Sequence, residues 1–534
     1  MVEWRLARGG FLLSRVQTFV SRDPNLRNIS TAATPSILQL AGAIACLALL
    51  YFVAARLTGA GIVDDSYIFL RYGRNIWSGA GAVFNPGEYV EGYTSPLWLA
   101  CATLIQGIGL APPQVLALAR ATTGILTIAL VGLANPVSSW AARLLAAAFV
   151  ASSPVFAYWS QTGMDTPLFA LLLIASVLSF EKQLRSGGSL LVPGALLALT
   201  ALTRLEAVTI LGVMSFVLWR SNHRPLSRAA VEIAAPSCVL LGAHELWRHA
   251  YYGQWLPNTF TAKVGIPQSV LLGAGIAYVT AAAKSAAPAL VALAIAIRRA
   301  SSRGLLTLQT PALVIGWITL LIVLTGGDHF GLFRFFVPVV ALTALLVGRV
   351  ADSLVASTAR PLRAIGIGMA LIVAVNGYFL SSPEVARARF EVVYARGWAN
   401  TGRWCAANLP TGSLAATVVG AIPYFCDRPT VDLLGLTDAY IARHGEVFVR
   451  GAPGHQKFAT DYVLGRQPDF IFFPSSGVLP TPLFSTIESR HNLAERSTHA
   501  LMDLTTRPVI ERDYVYQATP LDDGTWIELL RRRK

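Results

Sequence analysis

The sequence predicts a polytopic α-helical membrane protein with a C-terminal soluble α/β domain. Of its 534 residues, 54% are hydrophobic and only 13% are charged, whereas soluble proteins carry about 25% charged residues. Apolar stretches recur as far as residue 380, as expected of helices buried in lipid. From about residue 382 onward, short apolar runs such as SLAATVV and DFIFFPS alternate with proline and glycine, which is typical of strands and turns.

These stretches divide the chain into an N-terminal segment (1–36), a transmembrane domain (37–381) and a soluble domain (382–534). Residues 58–96 form a first outer loop that we interpret as catalytic. Several stretches are shorter than the ~20 residues of a straight crossing. The weakest is 97–110, so we expect about eleven transmembrane helices. The apolar stretches are 37–57, 97–110, 115–134, 141–156, 167–180, 190–203, 207–219, 229–246, 286–297, 311–325, 335–347 and 364–380.

The net charge of +14 is explained by membrane orientation. Lysine and arginine gather in segment 5–27 and in loops 182–185, 220–228, 298–303 and 349–363, and short cytoplasmic loops carry such an excess. The N-terminus is therefore expected in the cytoplasm, with no cleavable signal peptide, and the soluble domain on the outer side of a bacterial cytoplasmic membrane. No recognition motif accompanies the charge, which argues against nucleic-acid binding.

The five cysteines fall into two groups. Cys46, Cys101 and Cys238 lie in apolar stretches, where free cysteines behave as small apolar residues. Cys405 and Cys426 share the soluble domain, and an exported domain permits a disulfide between them. Spacing alone does not establish the geometry, so this pairing is left open.

Four polar clusters are expected on the outer side, and the first is the acidic pair Asp64 and Asp65 with Tyr67, Arg71 and Arg74. A carboxylate at mid-membrane costs about 2.5–3.5 kcal/mol and less at the interface, so two in a row require an explanation. Adjacent carboxylates repel each other, which raises one pKa toward the range of a general base. The alternative is that both residues cap the following helix and favour its dipole.

The other clusters combine further acids with cations. The second, in GEYVEGYTSPLW, is either a substrate contact or a loop-to-helix junction with Ser95 as the cap and Pro96 at the first helical position. In the third, Asp165 is a cavity acid or a cap, and Arg204 pairs with Glu206 for structure or for function. The fourth offers Lys263, His329 and Arg334 as phosphate ligands beside aromatic residues that are equally ordinary at a membrane interface.

No nucleotide-binding or metalloprotease motif is found in the sequence. An enzyme on the outer face without a nucleotide site needs an activated substrate that is delivered by the membrane. A polyprenyl-phosphate sugar meets this need, because cations stabilise the departing phosphate and an acid activates the acceptor hydroxyl. A transporter or flippase of lipid-linked glycans is the alternative function, although transporters often show internal repeats. A glycan-binding envelope protein is a third possibility.

Several motifs then carry a resemblance. The segment VDDSYIFLRYGRNIWSGAGAVFNPGEYVEGYTSPLW and the later SQTGMDTPLFALLL, LTRLEA, YYGQWLPNTFTAKVG, GGDHFGLFRFFVPVV, GAIPYF, VDLLGLTDAYIARHG, PGHQKF and DYVLGRQPDFI occur in order between residues 63 and 471. Together they resemble bacterial GT-C glycosyltransferases, specifically the group of the mycobacterial terminal β-(1→2) arabinofuranosyltransferases. TRLEA and GMDT depart from the more usual TRPEA and GMET, which leaves the role of Asp165 in doubt.

The resemblance implies transfer of a sugar, first of all arabinofuranose, from a polyprenyl-phosphate donor to an envelope glycan or protein acceptor by a monomeric pentosyltransferase. Asp64 and Asp65 match the essential acidic motif of that family. A divalent cation remains open, with oxygen ligands available from the aspartates. The residues expected to contact substrate are Tyr67, Arg71, Glu88, Glu91, Tyr93, Thr94, Asp165, Arg204, Glu206, Asn258, Lys263, Asp328, His329, Arg334, His444 and His455.

Overall fold

A computed structural model describes most of the chain. It covers residues 37–533 apart from 110–111, 138, 222–225, 288, 292–293, 295–308, 357–360, 452–453, 487 and 490–498. The expectations for segment 1–36, for the basic loop 298–303 and for part of the apolar stretch 286–297 therefore lie outside the described residues.

The first part of the structure is a bundle of helices. Two short 3₁₀ segments, Leu205–Thr209 and Arg334–Phe336, interrupt it. The helices are α1 Ile37–Thr58, α2 Asp65–Trp77, α3 Pro96–Gln106, α4 Pro112–Ala134, α5 Trp140–Ser152, α6 Pro154–Trp159, α7 Thr166–Ser186, α8 Leu191–Thr203, α9 Ile210–Ser221, α10 Leu226–Tyr252, α11 Asn258–Thr261, α12 Gln268–Ser285, α13 Gln309–Thr325, α14 Val337–Ala356 and α15 Pro361–Leu380.

The chain is a multi-pass membrane protein, and its long helices differ in how they face the bundle. Within the described residues, Leu38–Thr58, Thr166–Ser186, Ala229–Tyr252 and Arg334–Leu354 are long and apolar enough to cross a membrane alone. The first and third are buried over only 17% of their apolar window, and the others over 56%. Exposed apolar surface on this scale fits lipid contact, so α1 and α10 lie at the periphery while α7 and α14 lie in the centre.

The number of crossings expected from the sequence is not confirmed. A fifth crossing exists among the described helices if Gly366–Leu380 and Pro383–Asn408, which meet at a bend of 63°, form one span. Shorter apolar helices such as α3 are also present. The 11 residues of α3 extend only about 17 Å, against about 30 Å of hydrocarbon.

Two segments that were assigned to basic loops lie in helices, namely 182–185 in α7 and 349–356 in α14. Arg349 was expected in a cytoplasmic loop, but it lies inside α14, buried, with a guanidinium nitrogen 2.5 Å from Glu181 of α7. A charge at such a position is tolerated because its partner neutralises it. This ion pair joins two of the central helices.

The soluble domain is an α/β sandwich built on a five-stranded sheet. The strand order is β2-β1-β5-β7-β6, in which β1, β2 and β5 run parallel and β7 is antiparallel to its neighbours β5 and β6. The elements are α16 Pro383–Asn408, β1 Leu414–Ala416, α17 Ala421–Cys426, β2 Thr430–Asp432, α18 Ala439–His444, β3 Glu446–Val447, β4 Lys457–Phe458, α19 Thr460–Gly465, β5 Phe470–Phe472, α20 His499–Thr505, α21 Pro508–Asp513, β6 Tyr514–Pro520 and β7 Trp526–Arg532.

Apolar side chains cover both faces of the central strands, as expected where helices pack on a parallel sheet. A disulfide joins Cys405 of α16 to Cys426 of α17, with 5.3 Å between the two Cα atoms. The pairing that the sequence left open is therefore present. It ties the short helix α17, which faces the membrane domain, to the long helix α16.

Removing the disulfide should loosen the soluble domain. Replacing both cysteines (C405S/C426S) frees a loop of 21 positions, for which chain entropy predicts a loss of about 3 kcal/mol. We expect the melting temperature of the purified full chain to fall by several degrees. The control is C101S, a free thiol in the membrane domain. An equal decrease in both variants would contradict this prediction.

Candidate active site

The first outer loop is anchored to the turn that precedes α7. The backbone N–H of Val63 and the hydroxyl of Ser66 both donate to the carbonyl of Thr162, over 3.3 and 2.7 Å. Helix α2 then begins at Asp65. The start of α2 is thereby held against the turn that leads to Asp165.

The two adjacent carboxylates face different partners. Asp64 makes no side-chain capping hydrogen bond to α2. Its two oxygens instead accept the backbone N–H groups of Gly420 and Ala421 in the soluble domain, over 3.0 and 2.7 Å. Burial, with repulsion from Asp65, raises the pKa of Asp64 to about 7 despite these two donors. The local capping alternative is thus not what the Asp64 side chain does.

Asp65 faces the space between the two domains. Its side chain is 35% exposed, and one carboxylate oxygen lies 3.8 Å from a guanidinium nitrogen of Arg334. Asp65 also lies in the first turn of α2, where the helix dipole favours its negative charge. This carboxylate is accessible and is held near a cation.

Arg334 is presented by a strained segment. Leu332 and Phe333 have φ angles of 54° and 46°, and each residue in this left-handed region costs about 1–3 kcal/mol. The indole N–H of Trp159 donates to the carbonyl of Leu332 over 2.8 Å and holds the segment in place. The strain turns Arg334 inward, with its Nε 2.7 Å from a carboxylate oxygen of Asp328.

Aromatic rings surround the guanidinium of Arg334. It lies 4.6 Å from the ring centre of Phe330, 5.4 Å from that of Phe335 and 5.7 Å from that of Trp159. Such cation–π contacts favour the cation without neutralising it. The positive charge therefore remains available to an anion that enters beside Asp65.

The third predicted cluster forms beside this one. Arg204 donates to Glu206 over 2.6 Å, and its other end lies 4.0 Å from the buried carboxylate of Asp165. It also stacks on Phe335, 4.6 Å from the ring centre. Burial raises the pKa of Asp165, whereas the charges of Arg204 and Arg334 oppose that shift. The structure therefore brings the second acid of the sequence analysis close to both arginines.

The fourth cluster is completed from the soluble domain. The rings of His329 and His455 are 4.5 Å apart, and His329 Nδ1 lies 3.5 Å from Asp328. The side chain of Lys263 is exposed. It lies in the same region, because its Cε is 3.3 Å from where a Cβ would lie on Gly454, the residue before His455. Lys263 is not within ion-pair distance of any carboxylate in the described part of the chain.

Both histidines are held in the neutral form. Burial lowers the pKa of His329 to about 3, and the proximity of His455 adds to this shift. Burial likewise lowers the pKa of His455 to about 4, with Lys263 contributing. At neutral pH these imidazoles offer hydrogen bonds without charge, so the positive charge of the cluster comes from Lys263 and the arginines.

Several predicted substrate contacts instead hold the two domains together. Arg71 is buried and donates to backbone carbonyls of Phe84, Pro423 and Arg428. Tyr67 packs 5.5 Å from the ring of Tyr424. For these two residues the geometry favours a structural role.

Two more predicted residues bridge the same boundary. Glu88 pairs with Arg466 of the soluble domain over 2.7 Å. The side-chain amide of Asn258 donates to the carbonyls of Gly435 and Leu436, over 2.8 and 2.9 Å. These contacts add to the docking of the soluble domain.

The remaining predicted residues lie apart from the cation cluster. Glu91 is buried 2.5 Å from Arg248, and Tyr93 bonds the hydroxyl of Tyr252 over 3.1 Å. Thr94 is exposed, and His444 is exposed beside Tyr440. A small pocket lies at the domain boundary. Its lining includes Tyr89, Glu91, Tyr252, Gln254, Asn258 and Arg443.

The sequence analysis missed two features of this region. The first is the pair of backbone N–H groups at Gly420 and Ala421, which the motif GAIPYF contains without indicating their role. The second is Glu391 of α16, which lies close enough to Asp64 to contribute to the rise of its pKa. Glu391 had no signal, because a single acid on a mixed polar helix looks like an ordinary exposed residue.

A metal site is not apparent among the residues that the structure covers. They contain no group of three or more histidine, cysteine, aspartate or glutamate side chains placed to hold an ion. Of the aspartates that the sequence offered as oxygen ligands (Asp64, Asp65, Asp165 and Asp328), Asp65 and Asp328 instead share Arg334. These carboxylates contact a cationic side chain, and the two of them alone do not provide the six or more oxygens that Mg²⁺ or Ca²⁺ requires.

Comparison with known proteins identifies the fold. The crystal structure of ArnT from Cupriavidus metallidurans bound to undecaprenyl phosphate superposes with a TM-score of 0.54 at 14% identity, covering 93% of this chain and 98% of ArnT. The oligosaccharyltransferase AglB from Archaeoglobus fulgidus, in complex with an inhibitory peptide and a dolichol-phosphate, gives 0.53 at 15% identity, covering 92% and 74%. The chain has the GT-C fold.

Sequence comparison adds a curated relative. The chain is 27% identical over 345 residues to the terminal β-(1→2)-arabinofuranosyltransferase of Corynebacterium glutamicum, which covers 55% of this chain and 50% of that protein. This chain thus spans about half the length of the curated relative that it matches. A domain of unknown function (DUF8728) matches residues 383–527. The resemblance to GT-C arabinofuranosyltransferases seen in the motifs is confirmed.

The neutral histidines should make the protein sensitive to acid. Folding lowers the pKa values of His329 and His455. Between pH 6.5 and about 4 the unfolded chain therefore binds protons that the folded chain does not bind, and the stability of the fold decreases as the pH decreases. In H329Q/H455Q the melting temperature should decrease less steeply across this range. The exposed His444→Gln serves as the control. A slope in the double variant equal to that of the wild type would contradict the prediction.

Proposed function

We propose that this protein is a membrane glycosyltransferase that transfers a sugar from a polyprenyl-phosphate donor to a glycan or protein acceptor. The observation that carries the proposal is the accessible carboxylate of Asp65, 3.8 Å from Arg334, in a region that also holds Lys263 and Asp165. A carboxylate beside cations is what sugar transfer from a phosphate requires. The acid activates the nucleophile while the cations stabilise the leaving group.

Lys263 is the first candidate ligand of the donor phosphate. It lacks an ion-pair partner among the described residues, whereas Arg334 and Arg204 already pair with Asp328 and Glu206. Arg334 and Arg204 then add positive charge and directed N–H groups to the phosphate. Two structures with this fold are bound to undecaprenyl phosphate and to a dolichol-phosphate, which supports a lipid-linked phosphate as the donor here.

The proposed reaction exchanges two bonds at the anomeric carbon of the donor sugar. The acceptor hydroxyl gives its proton to Asp65, and its oxygen forms a bond to this carbon. The bond between the carbon and the phosphate oxygen breaks, and its electron pair leaves with the polyprenyl phosphate. Lys263 and Arg334 stabilise the charge that develops on that phosphate. His329 and His455, which are uncharged at neutral pH, orient the phosphate or the sugar by hydrogen bonds.

Arabinofuranose is the sugar we propose, which makes the enzyme a pentosyltransferase. The support is the arabinofuranosyltransferase of Corynebacterium glutamicum, together with the ordered motifs of the chain. The acceptor would approach from the pocket at the domain boundary, where Tyr89, Gln254 and Arg443 offer the aromatic and planar polar groups that bind sugars.

Membrane orientation supports an outer-face reaction in a bacterial cytoplasmic membrane, and we propose that the protein acts as a monomer. Lys182 and Arg185, which the sequence placed in a basic loop, lie near the end of α7 that is opposite to Asp165. Lysine and arginine mark the cytoplasmic end. The acidic pair and the soluble domain then lie outside, where a lipid-linked donor replaces a nucleotide sugar.

Asp65 should be required for turnover. In D65N the amide keeps the size of the side chain but cannot accept the proton, so transfer from synthetic polyprenyl-phosphate arabinofuranose to an arabinan acceptor should fall by about 100-fold or more. D522N, a change of the same kind at an exposed site of the soluble domain, should retain wild-type rates. Undiminished transfer by D65N would refute this assignment. Vesicle uptake of the donor without any transfer would favour the transporter.

Lys263 should be needed mainly for donor binding. K263Q removes a charge-assisted contact, so the affinity for polyprenyl phosphate should fall by about 10-fold or more. Binding is measured by titration of the purified protein in nanodiscs. K182Q, at the opposite end of α7, is the matched control and should bind as the wild type does. Equal affinity in K263Q and the control would show that the phosphate binds elsewhere.

A further inference from the structure

We propose that the two adjacent aspartates have different roles: Asp65 faces the reactants, and Asp64 is a positioning residue that fixes the soluble domain over the reaction region. The inference rests on the proposed function for Asp65 only. The role of Asp64 follows from its contacts, which can be tested without any substrate.

Asp64 is fully engaged by the soluble domain. Oδ2 accepts the N–H of Gly420 over 3.0 Å, and Oδ1 accepts the N–H of Ala421 over 2.7 Å. A carboxylate that accepts one backbone donor on each oxygen has limited freedom to rotate toward a substrate. Hydrogen bonds to a charged acceptor are about twice as strong as neutral ones, so this contact is well suited to fixing a domain.

The approach of Gly420 to Asp64 excludes any side chain at that position. A Cβ on Gly420 would lie 2.0 Å from the backbone carbonyl oxygen of Asp64 and 2.6 Å from its Cγ. Both are far below van der Waals contact, and the nearest atom belongs to the backbone. Glycine is therefore required for this docking, which gives an independent way to disturb it.

Helix α2 holds both ends of α17, not only its beginning. Asp64 takes the N–H groups that open α17. Arg71 donates to the carbonyl of Pro423 over 2.5 Å, and Arg74 to that of Tyr424 over 2.9 Å. The first N–H groups and the last carbonyls of a helix lack partners within it. Asp64, the N-cap of α2, and Arg74 thus provide partners that α17 lacks. Arg71 adds a second donor to the carbonyl of Pro423, which also accepts the N–H of Asp427.

A disulfide connects α17, which Asp64 holds, to the rest of the soluble domain. The Cys405–Cys426 disulfide joins α17 to α16. Helix α16 in turn contacts the loop that leads to Arg334, because Arg387 donates to the carbonyl of His329 over 3.0 Å. The Asp64 contact therefore bears on the placement of the phosphate-binding cluster, even though Asp64 does not touch that cluster.

Asp65 has none of these constraints. Within the described residues it accepts no hydrogen bond, and its nearest cation is Arg334 at 3.8 Å. Of the two carboxylates, only Asp65 can reach a substrate without undocking the soluble domain.

Hydrogen–deuterium exchange on the full chain in nanodiscs tests the docking directly. In D64N one acceptor oxygen becomes an NH₂ group that faces an N–H donor. Exchange at Gly420 and Ala421 should rise about 10-fold or more. G420A should do the same, and D64N/G420A should be no worse than either single change, because both break one contact. D65N should leave exchange at these amides unchanged. The buried amide of Leu529 in β7 reports on global unfolding.

Transfer measurements then separate the two aspartates. We expect D64N and G420A to lose about 10-fold in transfer rate and to keep residual activity, whereas D65N is inactive. The proposal is overturned if exchange at Gly420 is unchanged in D64N, or if exchange at Leu529 rises equally. It is also overturned if D64N is as inactive as D65N while its exchange is normal. If wild-type protein shows no transfer, the glycosyltransferase function fails, yet exchange still decides the role of Asp64.

Discussion

The rest of the structure depends on how helix α2 of the first outer loop holds α17 of the soluble domain. Leaving a buried backbone donor or acceptor without a partner costs about 1–3 kcal/mol. Asp64 and Arg74 provide such partners at the two ends of α17, and Arg71 adds a further donor to the carbonyl of Pro423. Glu88 and Asn258 add contacts further along the boundary. Charged side chains on one domain thus bind backbone groups of the other, and the space between the domains gains a defined shape.

The docked soluble domain creates a region in which opposite charges crowd together. Asp65, Asp165 and Asp328 lie close to Arg204 and Arg334, in surroundings that partly exclude water. Electrostatic interactions are stronger in such a medium than in water. Leu332 and Phe333 have backbone angles that non-glycine residues disfavour, and this conformation directs Arg334 into the region.

The fold and the chemistry rest on different observations. Likeness to ArnT and AglB at 14% and 15% identity concerns the arrangement of helices and the soluble domain. One fold hosts several reactions, so the sugar and the acceptor must be argued from the site. The site offers an accessible carboxylate and a lysine without an ion-pair partner among the described residues, and these two groups suit the departure of a lipid phosphate.

The sequence alone determined the class of protein and the composition of the site. Helices buried in lipid require an apolar composition, which is visible in the sequence. Polar motifs at the ends of the apolar stretches also contained the residues of the candidate site, namely Asp165, Arg204, Lys263, His329 and Arg334. Arg349 was assigned to a loop because its partner Glu181 lies on another helix and could not be recognised. The binding of Arg71 to the soluble domain was equally invisible, since its carbonyl partners Pro423 and Arg428 follow 352 and 357 positions later.

Only the tertiary structure decided which neighbour each charged group meets. Asp64 and Asp65 are adjacent and chemically identical, so no local pattern distinguishes them. They differ because Gly420, 356 positions away, approaches one of them and Arg334 the other. Apolar periodicity and composition are properties of short segments and can be read from the chain. The direction of a side chain at a domain boundary depends on contacts between distant segments, which form only when the whole chain has folded.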